Sequence, residues 1–380
     1  MGVYLDYNAS TPIDERVLAE MVDVYRNHYG NADSRTHQFG SDTKHIVEQA
    51  RQEVADLLAV PREAVYFTSG STESNNMVLL GLEEYGNTTG RKHIITTAIE
   101  HKSILEPCRI LESRGFEVEY VYPHEDGRVS AEDILERVRE DTLLVSVIHV
   151  NNETGIIQPV KELGEALKER KVYFHIDASQ SCGKLVEEIQ QLSFDLMSVS
   201  AHKMYGPQGI GALIVRNKNG KRPDIRPLMY GGGQERGMRP GTLPVALICG
   251  LGAAARILRE ENKENRKKCE RNRAMILQVL KRSGIHYRIN GNPAYGIDST
   301  LNISFDNYDS EALMLALQSE IGISNGSACT SHNYAPSYVL QAMGLDKRRI
   351  ESAVRISWGK DAVDEKVIMK LAEVVGEWQR

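Results

Sequence analysis

No hydrophobic run in this sequence reaches the roughly 20 residues that a membrane-spanning helix needs. The opening Met1-Gly2-Val3-Tyr4-Leu5-Asp6 lacks the apolar core of a signal peptide, and Gly2 lacks the downstream Ser/Thr of a myristoylation motif. A cytoplasmic, membrane-free setting is expected. Cysteine is scarce: there are five, an odd number, with no C-x-x-C pair. That argues against a disulfide framework or a zinc knuckle, and no metal site is expected. There is no Walker G-x-x-x-x-G-K-[ST] loop, no internal repeat and no low-complexity tract. An excess of positive charge is also missing. Lys and Arg number 46 against 52 Asp and Glu, a net charge of −6, which argues against broad binding to nucleic acid or acidic membranes.

What is present is an ordinary globular composition, 41% hydrophobic and 26% charged, in 380 residues, more than one typical domain needs. Val17, Met21 and Val24 predict a helix over 14–29, and Ile46, Val47, Ala50, Val54 and Leu57 another over 41–58. The polar stretch Gly30 to Gly40 between them reads as a loop. Strands and helices then take turns. Strands at Val65–Phe67, His93–Thr96, Val118–Tyr122, Leu143–Ile148 and Val172–Ile176 alternate with helices over 72–84, 103–114, 130–139 and 160–170. This order predicts an α/β fold with a mainly parallel sheet, whose ligands sit at the carboxyl ends of the strands. A long helix over 245–282 leads to strands at Thr300–Phe305 and 352–357 and helices over 310–320 and 363–378. The expected division is a large domain of residues 13–262 and a smaller α+β domain of residues 1–12 and 263–380.

The strand ends carry the chemistry. Leu196-Met197-Ser198-Val199 runs into Ser200-Ala201-His202-Lys203, and Gly206, Pro207, Gly209 and Gly211 interrupt before Ala212–Val215. This reads as strand, lysine, tight turn, strand. A lysine between buried strands loses water, which disfavours the ammonium and turns the amine into a nucleophile toward a carbonyl. The same string also fits a surface lysine in a hairpin. After Val65–Phe67, the run Thr68-Ser69-Gly70-Ser71-Thr72 opens a helix whose free N–H groups suit a phosphate, or simply form a cap. His101 can stack on a flat ring, carry protons or serve structure. Asn152 can bond a ring oxygen or sit in a plain turn. Asp177 leaves a buried strand and needs a partner, either a pyridinium or a helix N-terminus. Together these are the parts that hold pyridoxal phosphate (PLP).

In this order the sequence resembles the cysteine desulfurases, the NifS/IscS-like group of PLP enzymes of fold type I, the aspartate-aminotransferase fold. The resemblance runs from Tyr4–Pro12 through Gly30-Asn31 to His37, Thr68–Asn76, Glu100-His101, Asn151–Gly155, His175–Gln180, Ser200–Pro207 and Gly231–Thr242 to Ser327–Ser331 and Val354–Ser357. It implies that Lys203 binds the cofactor covalently and that His101 stacks on the ring and moves protons. It implies Asp177 at the pyridinium, Asn152 and Gln180 on the ring-hydroxyl side, and Ser71, Thr72, Ser200 and His202 at the phosphate. Thr242 would reach the phosphate of a neighbouring subunit, implying a homodimer. Arg355, helped by Asn152, would hold the substrate carboxylate. Cys329 matches the catalytic cysteine of the long-loop, class I subgroup. Its persulfide would form as L-cysteine becomes L-alanine and pass to a protein sulfur acceptor: an iron–sulfur scaffold, a thiolation pathway or a DNA phosphorothioation system. Cys108, Cys182, Cys249 and Cys269 match no catalytic position and are expected to be small buried apolar residues or neutral surface thiols. The chain departs from the group's pattern at Ala32, Asp33, Asn8 and Trp358. An aminotransferase, a selenocysteine lyase and a non-catalytic docking subunit are the rival readings.

Overall fold

The computed structural model describes residues 2–325 and 336–379. Its strands are β1 (Val3–Tyr4), β2 (Val65–Thr68), β3 (His93–Thr97), β4 (Glu117–Val121), β5 (Thr142–Ile148), β6 (Tyr173–Asp177), β7 (Leu196–Ser200), β8 (Gly211–Val215), β9 (Tyr287–Ile289), β10 (Thr300–Phe305), β11 (Ile321–Gly322) and β12 (Ala353–Ser357). Seven of them form one sheet in the order β2-β8-β7-β6-β5-β3-β4. Strands β4, β3, β5, β6 and β7 run parallel. Strand β8 runs against both of its neighbours, β7 and β2, so β2 points the same way as the parallel set. The sheet is therefore mixed and mainly parallel, as the alternation predicts.

Side chains on a strand alternate between faces, and here both faces are covered. Phe67, Val145, Val147, Phe174, Ile176, Met197 and Val199 pack in one core with apolar residues of the helices Gln38–Leu58 and Val245–Arg282. Tyr66, Ile94, Leu144, Leu196 and Leu213 pack on the other face with the helices Ser71–Gly81 and Lys102–Ser113. Double burial explains why these strands read as apolar runs and not as alternating ones.

A second core gathers around the antiparallel sheet β12-β10-β9. It holds Leu5, Leu301, Ile303, Phe305, Val354, Ile356 and Trp358. The helix Val245–Arg282 serves both cores, through Ile248 and Leu251 at one end and Ile276 and Leu280 at the other. Strand β1 joins the second region by pairing in parallel with β11. No helix among the described residues is long and apolar enough to cross a membrane.

Three of the predicted helices depart from expectation for reasons visible in their contacts. The helix read over 72–84 breaks at Leu82 into Ser71–Gly81 and Glu83–Thr89. Gly81 lies against Ile225 and Arg226, leaving no room there for a side chain. The second helix begins at Gln38, because the His37 ring Nδ1 accepts the Gly40 amide at 3.2 Å and caps it inside the supposed loop. The 130–139 helix holds only for Ala131–Leu135, after which the chain tightens through a bond from the Arg137 amide to the Ile134 carbonyl.

Candidate active site

Because β2, β3, β5, β6 and β7 point one way, their carboxyl ends line one edge of the sheet. Gly70-Ser71, His101, Asn152, Asp177 and the Ser200–Lys203 turn follow these ends in that order. The sequence-predicted residues from five separate segments are thus brought together.

Asp177 ends β6 on the sheet face covered by the helices Ser71–Gly81 and Lys102–Ser113. Its Oδ1 accepts the Ser179 amide at 2.9 Å and the Ser179 hydroxyl, and its Oδ2 accepts Asn75 Nδ2 at 2.8 Å. Burial pushes this carboxyl up, but the Ser179 and Asn75 donors and the nearby His101 outweigh it, so its pKa is lowered and it stays an anion. Asn75 also donates to Ser103 Oγ at 2.8 Å, and Ser103 Oγ lies 2.8 Å from His101 Nδ1. Two residues earlier on the same face, His175 bridges Ser146 Oγ at 2.8 Å and Ser198 Oγ at 3.0 Å. Burial holds its pKa down to about 4, so it is neutral.

His101 caps the helix Lys102–Ser113, its Nδ1 accepting the Ser103 amide at 3.1 Å. An Nδ1 that accepts a backbone N–H carries no proton of its own. The neutral ring therefore keeps its proton on Nε2. Burial lowers the His101 pKa, the Lys203 ammonium lowers it further, and Asp177 opposes both.

Lys203 closes a 3₁₀ turn, Ala201–Lys203, that follows β7. The N-terminal segment fixes this turn. The His202 carbonyl accepts the Thr11 amide at 2.7 Å and the Thr11 hydroxyl at 3.0 Å, and Thr11 Oγ1 accepts the Tyr205 amide at 2.8 Å. His202 Nδ1 lies 3.3 Å from Ser10 Oγ, and burial followed by the Lys203 charge lowers its pKa to about 4. Lys203 also lines a cavity with Tyr7, Lys184, Tyr205, Cys269 and Trp358.

The helix Ser71–Gly81 starts at Gly70 with no side chain capping its amides. Gly70 has φ +151°, and a Cβ on Gly211 would meet Gly70 Cα at 2.7 Å and the Val199 carbonyl at 2.4 Å. Only glycine at 211 allows this close approach, which sets the turn against β8 beside Ser200. Ser71 is half-buried and Thr72 exposed at the mouth of this turn.

Asn152 and Gln180 meet through Asn8. Gln180 Nε2 donates to the Asn8 carbonyl at 2.8 Å, and Asn8 Nδ2 donates to the Asn152 carbonyl at 3.2 Å. Asn152 Oδ1 is buried with no hydrogen-bond partner among the described residues. Arg355, on β12, donates from Nη1 to the Asn152 carbonyl at 2.9 Å and from Nη2 to Asp6 Oδ1 at 2.6 Å, while its buried Nε has no partner among the described residues. Cys329 lies outside the described residues. The segments flanking it attach at the site: Ser324 pairs with the backbone of Arg355, and Ser337 Oγ donates to the buried Glu153 at 2.5 Å.

Thr242 is exposed on a glycine-rich loop, away from these contacts. Arg51 and Glu235 hold that loop from below, paired through two bonds of 2.8 and 2.7 Å, both buried. Burial pushes up the thiols of Cys108, Cys182, Cys249 and Cys269, to about 12 for Cys182 and about 11 for Cys249 and Cys269, so all four are neutral. Among the described residues one histidine–carboxylate trio, His93, Glu117 and Glu119, is spaced for a metal. It sits at the opposite ends of the strands, and Arg139 already pairs with Glu117 at 2.7 Å.

Pattern reading missed several of these residues. Asn75 lies within the resembling stretch Thr68–Asn76 and Ser103 two residues after His101, but neither was given a role. Asn8 appeared only as a departure, and Lys184 and Asp6 were not singled out. A run of polar residues in a helix that must face a buried sheet, as in Thr72–Asn76, is the signal that could have exposed Asn75.

The aminotransferase class-V family profile matches residues 3–368. This chain belongs to the class-V aminotransferase family. The cysteine desulfurase IscS of Pasteurella multocida (strain Pm70) is 44% identical to it over 369 residues, covering 97% of this chain and 90% of that protein. A solved structure of a NifS-like protein superimposes with a TM-score of 0.90 at 37% identity, covering 99% of this family member and 100% of that chain. The structure of SspA in complex with cysteine matches with a TM-score of 0.82 at 34% identity, covering 95% and 99%.

Proposed function

We propose that this chain is a cytoplasmic, PLP-dependent cysteine desulfurase. L-cysteine and the Cys329 thiol give L-alanine and a persulfide on Cys329, which passes to a protein sulfur acceptor. The observation that carries the reading is Asp177, kept anionic by Ser179 and Asn75, beside His101 and one strand from Lys203.

The residues present fit the cofactor. Gly211 lets the Gly70 turn lie directly against β8, the helix N-terminus there has no side-chain cap, and Asn152 keeps a buried oxygen without a donor among the described residues. When bound, the cofactor supplies an electron sink for the carbanion formed at the substrate Cα. Lys203 would carry it and take the α-proton. Asp177 would keep its ring nitrogen protonated. Ser71, Thr72, Ser200 and His202 would hold its phosphate, with Thr242 of a second copy in a homodimer. His101 would lie against its ring and move a proton at Nε2. Arg355 is held by Asp6 and the Asn152 carbonyl with Nε open, and would bind the substrate carboxylate. The domain limits 13–262 against 1–12 and 263–380 belong to the same reading.

Sulfide release from L-cysteine in the presence of a thiol reductant tests it. Cys329→Ser should lose about 10³-fold or more, since the nucleophile is gone. Borohydride treatment of the PLP-loaded wild type should place the pyridoxyl tag on Lys203. A Cys329→Ser protein that releases sulfide at the wild-type rate overturns the assignment in favour of another PLP reaction.

A further inference from the structure

Lys184 stands at a junction that the reaction scheme above does not use. It lines the cavity that Lys203 also lines. Its Nζ donates to Gln180 Oε1 at 2.8 Å and to Asn8 Oδ1 at 2.7 Å. The other end of the Gln180 amide, Nε2, donates to the Asn8 carbonyl at 2.8 Å.

An amide set between these two partners cannot turn over. An ammonium only donates and a carbonyl only accepts, so flipping Gln180 would put donor against donor and acceptor against acceptor. The Gln180 side chain is buried, where such a mismatch is most costly. Its second Nε2 hydrogen then remains as a donor on that end of the amide, while Oε1 faces the Lys184 ammonium. Asn8 is held just as firmly. Its amide accepts the Thr300 hydroxyl at 3.1 Å and donates to the Asn152 carbonyl, on which Arg355 also rests. Lys184 thus sits at the head of a chain running from Gln180 through Asn8 and Asn152 to Arg355.

We propose that Lys184 is a positioning residue: it locks the Gln180 amide with its NH₂ facing the site, so that Gln180 presents a donor to an acceptor oxygen such as the phenolate of a pyridoxal ring. The inference rests on the PLP reading. Burial, then the Lys203 and Arg355 charges, hold the Lys184 amine down to about 7, with Cys269 opposing them; Tyr7 and Asp298 also face the cavity. An anionic oxygen received by Gln180 acts the other way and favours the ammonium. Lysine and ring oxygen therefore support each other's charged forms.

The pH midpoint of the visible absorbance band of the PLP-loaded protein reads this directly. A donor on the phenolate stabilises the deprotonated chromophore, so losing it raises the midpoint. Lys184→Met should move it up by about one pH unit, a tenfold change, and Lys184→Arg by less in the same direction. In a Gln180→Leu background Lys184→Met should add clearly less than it does alone, because the lysine acts mainly through that amide. If Lys184→Met fails to fold, Lys184→Arg and Gln180→Leu carry the test. Unchanged midpoints in the variants that fold, or additive shifts in the double variant, overturn the inference. A wild type with no visible band and no tag on Lys203 overturns the PLP reading instead, so the two failures are distinct.

Discussion

At Asp177 the decisive contest is between burial and hydrogen bonding. A carboxylate in a closed sheet would pick up a proton were it not for Ser179 and Asn75. Asn75→Ala removes one of these donors and leaves Ser103 Oγ with one partner fewer. A hydrogen bond to a buried charge is worth about 1.5–3 kcal/mol, and that loss is expected in denaturant melts at neutral pH. The sign follows from the lowered carboxyl. Its stabilisation is fully present above the unfolded aspartate pKa and is lost as pH falls through the folded value. The cost of Asn75→Ala should therefore shrink in acid, and a cost independent of pH would refute this account of Asp177. Asn8 is explained at the same scale. Its side chain and backbone join Lys184, Gln180, Asn152, Thr300 and Ser357, work that a side chain without an amide could not do.

Among the elements, the β2–helix turn depends on one position in a different strand. Gly211 pairs with Thr68 on one side and Ser200 on the other, so its missing side chain makes room for the turn that would bind phosphate. In Gly211→Ala the new methyl meets backbone on two sides. A stability loss of about 1–3 kcal/mol is expected, together with weakened PLP binding, measured by denaturant melts and cofactor titration. Unaltered cofactor affinity would show that the turn has no such role. This coupling was hidden in the sequence, which shows only a glycine among several. The strand–helix alternation was legible because each strand is buried on both faces and reads as a short apolar run. The helix Val245–Arg282 was legible to the residue, its limits set by Pro244 and a long apolar-to-charged gradient. Strands β1, β9 and β11 were not, since two or three residues are too few to show a period. The residues that follow the strand ends could be picked out one by one, but the side chains that orient them could not. Asn75, Ser103 and Lys184 each also bond a partner far away in the chain, Asp177, Asn75 and Asn8 respectively, which a linear reading does not show.

For the molecule as a whole, buried titratable groups set the pH range of stability. His149, His175 and His202 are each held down to about 4, by burial first and for His202 also by Lys203. Between that value and the unfolded 6.5 the native protein binds fewer protons than the unfolded chain, so stability falls as pH drops through this window. Glu100 is the opposite case. Burial raises it from 4.5 to about 8, so the native state keeps a proton that the unfolded chain has released. Its contribution falls as pH rises from 4.5 to 8. Relative to wild type, Glu100→Gln should gain stability steadily across that range and level off above it, as read from denaturant midpoints against pH. A difference that does not change with pH would mean that Glu100 is ionised in the native protein.

The reversed strand β8 also governs the order in which the protein can be built. As the chain leaves the ribosome, β2 emerges early but finds its only sheet neighbour, β8, after all five parallel strands have been made. Strand β1, the first to appear, must wait still longer for β11. A nascent chain halted before residue 211 therefore exposes an unmatched strand beside the Gly70 turn, and such contacts between distant parts of a chain form slowly. The turn after β2 gains its support only once β8 has been synthesised.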